Sequence, residues 1–242
     1  MTRSGRNGSL LAVLLLSAAC SNSERAPAQG TDEQPLSAVI THEERIVRPD
    51  GVTQTMRYQE RMVRADGRVW IERVVDPRHA QHEDDAHGTK HVHDWGSATR
   101  FVTRDAKADA AGSGAEAAHL QFVLPHERQL VAVVPAEYDS VGFYPVWSEI
   151  AHLVSDVDRA ALQPSKRVTA KADTRWLERQ DGDKYVRVLW SDRLHLALEA
   201  EAGKSDGTVV RSLHAEVEPV PAALPWSRLE GYAVKDVNDF RD

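Results

Sequence analysis

One cysteine, Cys20, stands in 242 residues, so no disulfide can form within the chain, and the fold must hold through burial and hydrogen bonding. Aromatic side chains are scarce at 6%. Basic tracts are missing and the formal net charge is −7. That balance excludes a general nucleic-acid binder, whose phosphate contacts need a concentrated excess of Lys and Arg. The longest early apolar run, Leu10 to Leu16, is too short to span a bilayer. The composition that remains, 41% hydrophobic and 28% charged, fits one globular domain, or a domain with tails.

Catalytic fingerprints are also missing. There is no nucleophile-elbow motif, no phosphate-binding loop and no dinucleotide fingerprint. The "GSG" at 112–114 sits in a small-residue stretch that reads as a linker. In "HEDDAH", His87 follows His82 by five places, which misses the one-turn spacing that puts two zinc ligands on one helix face. The lone cysteine, Cys20, lies at the N-terminal end, ahead of the patterned chain, so it offers no nucleophile to a folded site. The expectation is a non-catalytic protein with no catalytic residues.

The N-terminus carries the first positive signal. "MTRSGRNGSLLAVLLLSAAC" has two arginines, an apolar run and small residues before Cys20, the order of a secretory signal. "LSAAC" resembles a bacterial lipobox, with Ser17 where a bulky residue is usual. The resemblance implies a signal peptide over 1–19, lipidation of Cys20 and a flexible tether over 20–35. It also implies a membrane partner through the lipid anchor, and a place in the cell envelope at the outer membrane, facing the periplasm. By resemblance to enterobacterial sorting, Ser21 rather than Asp after the cysteine implies the outer membrane. An ordinary signal peptide cleaved nearby is the other reading. "SNSERAPAQGTDEQP" has no apolar pattern to bury, which suits a tether.

From Leu36 the signal is period-two alternation broken by Asp-Gly turns at 50–51, 66–67, 181–182 and 206–207, a strong hairpin cue. Val52, Met56, Tyr58 and Met62 share one side of a strand. Val168, Ala170, Ala172 and Trp176 share a side in another segment, and Leu194, Leu196 and Leu198 in a third. "VLPHERQLVAVVP" supplies two short strands around His126. "PVWSEIAHLVSDVDRAAL" instead repeats Trp147, Ile150, Ala151 and Val154 at helical spacing, with Pro145 suited to a first helical position and Ser155 with Asp158 suited to capping. Trp226, Leu229, Tyr232 and Val237 offer anchors for a C-terminal segment against the sheet.

The expected fold is therefore mainly β with a small helical insert, an α+β arrangement in one domain over 36–242 with the insert near 145–162. One-faced strands with little helix to cover them must curl into a curved antiparallel sheet or half-barrel, or pair with a second sheet. "THEERIVRPDGVTQTMRYQERMVRADGRVWIERVV" is similar to the opening meander of the periplasmic sigma-factor regulator RseB. "TRWLERQDGDKYVRVLWSDRLHLALEAEAGKSDGTVVRSLHAEVEPV" resembles the closing strands of the LolA lipoprotein-carrier superfamily. That resemblance rests on strand rhythm and implies a LolA-like sheet wrapped around helices, with a cavity for an apolar ligand such as a lipid or acyl chain, or a surface for a periplasmic envelope partner. Trp147 and Ile150 on the insert, as its movable side, and Trp176 and Trp190 on strands are the candidate lining. The tryptophans serve equally well as ordinary core.

One stretch stands apart. "HAQHEDDAHGTKHVHDW" carries His79, His82, His87, His91 and His93 among acidic residues. On a strand His91 and His93 point the same way and can reach one zinc or copper ion. A polar connector that binds ions only weakly is the competing reading, because a loop loses entropy in closing around an ion. No cofactor is expected unless the metal reading holds. A structural envelope protein with no ligand is the third possibility.

Overall fold

The computed structural model of the chain describes residues 34–75, 95–105 and 118–240, which belong to one compact unit. A first meander runs through β1 (Leu36–Val47), β2 (Thr53–Ala65), β3 (Arg68–Arg73), β4 (Thr99–Arg104), β5 (Ala118–Leu124) and β6 (Gln129–Val133). A helical insert follows. It holds a 3-10 turn at Pro135–Glu137, then α1 (Tyr138–Val141), α2 (Trp147–His152) and α3 (Asp156–Ala160). The second meander is β7 (Gln163–Pro164), β8 (Thr174–Asp181), β9 (Lys184–Ser191), β10 (Leu196–Lys204) and β11 (Val209–Glu218). A 3-10 turn at Pro225–Leu229 and the short β12 (Ala233–Asp236) complete the described chain, before a last turn at Val237–Phe240.

All twelve strands join one sheet in the order β12-β6-β5-β4-β3-β2-β1-β11-β10-β9-β8-β7. β11 returns to pair antiparallel with β1 across ten register positions, so the two meanders meet at the first of the described strands. Among the described strands only β12 breaks the antiparallel rule, pairing parallel with β6. The expected architecture, mainly β in a curved antiparallel sheet with a small helical insert, is the one observed. No helix among the described residues is long and apolar enough to cross a membrane.

The Asp-Gly turns do what their chemistry allows. Asp66 and Gly67 take φ of 52° and 65°, the two consecutive positive values that a two-residue type I′ hairpin demands, and they join β2 to β3 in register. Alternation then sorts the sheet into two faces. On the inner face Leu36, Ile40, Met62, Val69, Val102, Leu120 and Val131 pack against Trp147, Ile150 and Ala151 of α2. On the outer face Val63, Trp70, Phe101 and Val123 are covered by Leu224, Trp226, Leu229 and Tyr232. The C-terminal chain thus crosses from the outer face around the β6 edge, and Val237 joins the inner cluster. All four expected anchors are seated.

A third cluster, Leu162, Leu177, Val188, Trp190 and Ala197, lies under Leu153 and Val154. Ser155 caps α3 by accepting from the Asp158 amide at 3.0 Å, as its sequence spacing predicts. Arg64, 1% exposed, reaches inward from β2 and ties the insert down. Its Nη1 donates to Ala151 O at 2.5 Å and its Nη2 to Leu194 O at 2.8 Å.

Three expectations need correction. The helical insert begins at Pro135 rather than near 145, and Pro145 precedes the N-cap, which is Val146. Helix α2 ends at His152, with Leu153 in the left-handed region at φ 64°, so Val154 does not extend it. The alternation over 167–173 is not a strand: β8 starts at Thr174, and Val168 is 94% exposed. There the Lys171 amide donates to Thr169 Oγ1 at 3.1 Å and Thr174 Oγ1 donates to Lys171 O at 2.7 Å. Hydroxyls that bond their own backbone offer the chain an alternative to a ladder.

Candidate functional site

The site grows out of β2, whose even-numbered residues face inward. Tyr58, Glu60, Met62 and Arg64 alternate on that face, so a glutamate and an arginine occupy positions where the pattern calls for apolar side chains. Register fixes their neighbours. Tyr58 stands opposite His42 and Glu60 opposite Ile40 on β1, while Glu60 also stands opposite Arg73 on β3. His42 in turn pairs with Leu213 of β11, and Ile71 pairs with Arg100 of β4. Five strands therefore place a small polar group inside an apolar surround.

The geometry of that group is compact. Arg100 Nη2 makes a short ion pair with Glu60 Oε1, and His42 Nε2 stands 3.1 Å from Glu60 Oε2. The His42 ring stacks on Tyr58 at 4.6 Å, and the Arg73 guanidinium lies 3.7 Å from the centre of the same Tyr58 ring. Arg100 sits 5.0 Å from the Phe143 ring of the insert. Burial pushes the Glu60 carboxyl up. The His42 imidazole and the charges of Arg100 and Arg73 more than offset it, and the carboxyl is held below its ordinary value of 4.5.

Above this group the insert does not close onto the sheet. A cavity of about 470 Å³ remains, bounded below by Ile40, His42, Glu60, Ile71, Arg100 and Leu213 and above by Gly142, Phe143, Tyr144, Glu149, Ile150 and Leu153. Tyr144 is 56% exposed and Glu149 is exposed, so these two stand where the cavity meets solvent. A hollow of about 310 Å³ shares His42 and runs on to Met56 and Arg211. Another of about 300 Å³ shares Glu149 and Leu153 and runs on over Val186, Val188 and Ala200. Leu153 lines two of the three, and its left-handed backbone is what turns the chain there between α2 and α3.

Of the residues expected to line an apolar site, Ile150 does. Trp147, 2% exposed, is packed in the inner core, with the Arg104 guanidinium 5.7 Å from its ring. Trp190, 4% exposed, belongs to the third cluster beneath Arg159. Trp176 is half-buried against the inner core, under Arg167. None of the three tryptophans lines the 470 Å³ cavity, and α2 is tied to β2 through Arg64. Cys20 and the five clustered histidines, His79, His82, His87, His91 and His93, lie outside the described residues. Among the described residues no three His, Cys, Asp or Glu side chains gather as a metal site would require.

Sequence reasoning missed His42, Glu60, Arg100, Phe143 and Leu213. A usable signal existed for one of them. Glu60 falls between Tyr58 and Met62 at the parity of the buried face, and a charged residue in such a slot must be paired or serve a site.

No family model and no curated protein matches the sequence. Solved structures similar to the chain include PNGF-II, at 8% identity over 86% of this chain and 33% of that one, with a TM-score of 0.40. The chain thus spans about a third of PNGF-II. A putative outer membrane lipoprotein-sorting protein domain from Vibrio parahaemolyticus is similar at 9% identity, over 80% of this chain and 89% of that one, with a TM-score of 0.33. The Pseudomonas aeruginosa MucA/MucB complex is similar at 12% identity, over 83% and 56% respectively, with a TM-score of 0.35. At these scores the likenesses carry no function across.

Proposed function

We propose that the chain is a non-catalytic lipoprotein of the cell envelope that binds an apolar ligand, a single acyl chain, between its sheet and its helical insert. One observation carries the reading. Ile40, Ile71, Phe143, Ile150, Leu153 and Leu213 converge on about 470 Å³ of unfilled space. Ligand cavities commonly measure roughly 300–1,000 Å³ and combine an apolar lining with a few placed polar groups. Each methylene withdrawn from water there is worth about 0.8 kcal/mol. Ten of them supply roughly 8 kcal/mol, equivalent to about micromolar affinity before the cost of association is subtracted and weaker after it.

The exported, anchored setting is part of the proposal and rests on the sequence before Leu36, with Cys20 as the lipidated thiol and the outer membrane as its destination. Native mass spectrometry after gentle extraction tests the ligand. Co-purifying lipid, or uptake of a fluorescent fatty acid by the delipidated protein, supports the reading; neither occurring removes it.

A second reading has its own observation, the spacing of His91 and His93 with three more histidines upstream. It makes the 79–93 stretch a zinc or copper site. Calorimetry that finds a stoichiometric site, abolished by His91→Ala with His93→Ala, supports that reading, and weak non-stoichiometric heats refute it.

A further inference from the structure

Between the 470 Å³ cavity and the 300 Å³ hollow over β9 and β10 stand two side chains, Glu149 and Leu153, which line both. Resting on the acyl-chain reading above, we infer that Leu153 sets the length of chain the site accepts, by closing the cavity against that hollow.

Three observations lead there. First, Glu149 is exposed while Leu153 is half-buried, so the glutamate stands at the rim and the leucine forms the inner part of the divide. Leu153 is also the one partly buried hydrophobic among the described residues that packs against both the inner core and the third cluster. Second, the hollow suits methylenes. Val154, Leu162, Val186, Val188 and Ala200 line it, while its charged members Asp158 and Arg179 are exposed. Third, Leu153 holds φ 64° and ψ 12°, a left-handed conformation that glycine adopts freely and a bulky side chain adopts at a cost. Among the described residues the other non-glycine positions with positive φ are Asp66, Arg128, Asp173 and His195, all polar. A large apolar side chain kept in a strained position points to a use for that side chain.

The other end of the cavity offers a poorer extension. The 310 Å³ hollow shares only His42 with the cavity, and Glu43, Glu44 and Arg211 line it beside Met56 and Tyr58. Glu44 and Arg211 form a short ion pair there, and an apolar tail growing that way would strip water from charged groups without pairing them. A chain too long for the cavity therefore grows toward the apolar hollow and meets Leu153.

The even-numbered saturated fatty acids from octanoate to octadecanoate, each kept below its aggregation concentration, are titrated into the delipidated full chain against a bound fluorescent fatty acid. For the wild type each added methylene is expected to tighten binding about fourfold while it is buried, and affinity levels off once the cavity is full. Leu153→Ala and Leu153→Gly are each expected to raise the ratio of octadecanoate to dodecanoate affinity at least about tenfold, as two further buried methylenes imply. The glycine variant is at home in the left-handed turn and decides the matter if the alanine variant does not fold. Adding Ala200→Trp to it, which refills the hollow, is expected to return the ratio to its wild-type value. A ratio unchanged by both leucine variants, or one that Ala200→Trp leaves raised, overturns the inference and leaves the acyl-chain reading standing. A wild-type affinity that climbs unbroken to octadecanoate does the same. Binding of no fatty acid by any of these proteins overturns both.

Discussion

Arg64 Nη1 on β2 donates to the carbonyl of Ala151 at 2.5 Å, joining the middle of the sheet to the last turn of α2. The carbonyls at a helix end lack partners within the helix, and a cation there meets the negative end of the helix dipole. The same guanidinium holds Leu194 O at 2.8 Å and His195 O at 3.3 Å. One side chain therefore ties β2 both to α2 and to the turn before β10.

Arg64→Met keeps the apolar stem and removes the donors. Buried carbonyls are left unsatisfied, and a loss of about 3 kcal/mol is expected, which urea unfolding will measure. Arg64→Lys should recover part of this, because an ammonium offers one donor centre in place of a fork. Full stability in the methionine variant would show that the insert is held by packing alone.

Core and cavity separate cleanly by mutation. Trp147, 2% exposed, is core, and Trp147→Ala should cost roughly 3–5 kcal/mol of stability. Leu213 is half-buried at the cavity wall, so Leu213→Trp should fill the space and remove fatty-acid binding with a stability change within about 1 kcal/mol. The pair is read by chemical denaturation beside a fluorescent-ligand titration.

Stability should fade in acid through Glu60. Its folded carboxyl ionises below the ordinary 4.5, so the fold favours the charged form. The contribution is complete above that value and is lost as pH falls through the lower folded one. The difference in unfolding free energy between wild type and Glu60→Gln should therefore be largest near neutrality and shrink below pH 4.5. A difference independent of pH would mean that Glu60 acts through packing.

Gly203 in β10 is a close backbone approach. A Cβ built there would stand 2.3 Å from Val209 O, and the hairpin opposite, in register with Tyr185 and Val210, leaves nowhere to retreat. Gly203→Ala should lower the melting temperature by several degrees, about 1–3 kcal/mol, with the strain typical of overpacking. An unchanged melting temperature would place the β10–β11 turn in a different conformation.

Strand rhythm was legible because one face is buried. Met62 and Ile40 had to point inward, and Asp66-Gly67 had to turn. The C-terminal anchors were legible for the same reason. The cavity was not, since a filled core and a hollow one need the same apolar parity: Trp147 and Ile150 share a helix, yet one is plug and the other is wall. The polar floor depends on register between β1, β2, β3 and β4, which brings Glu60 to Arg100 across 40 positions of sequence. Periodicity within a single strand carries no information about such pairings. The false strand over 167–173 arose from reading Val168 and Ala170 as buried when local hydroxyl bonding holds that segment out in solvent.

The most direct test of the account is photo-crosslinking with a fatty acid that carries a diazirine in its tail, followed by peptide mapping. Labels should fall on the segment 142–153 and on the β11 peptide containing Leu213, and an excess of unlabelled fatty acid should suppress them. Labels confined to the outer face around Trp70 and Trp226, or none that competitor removes, would contradict an acyl chain lying between the sheet and the insert.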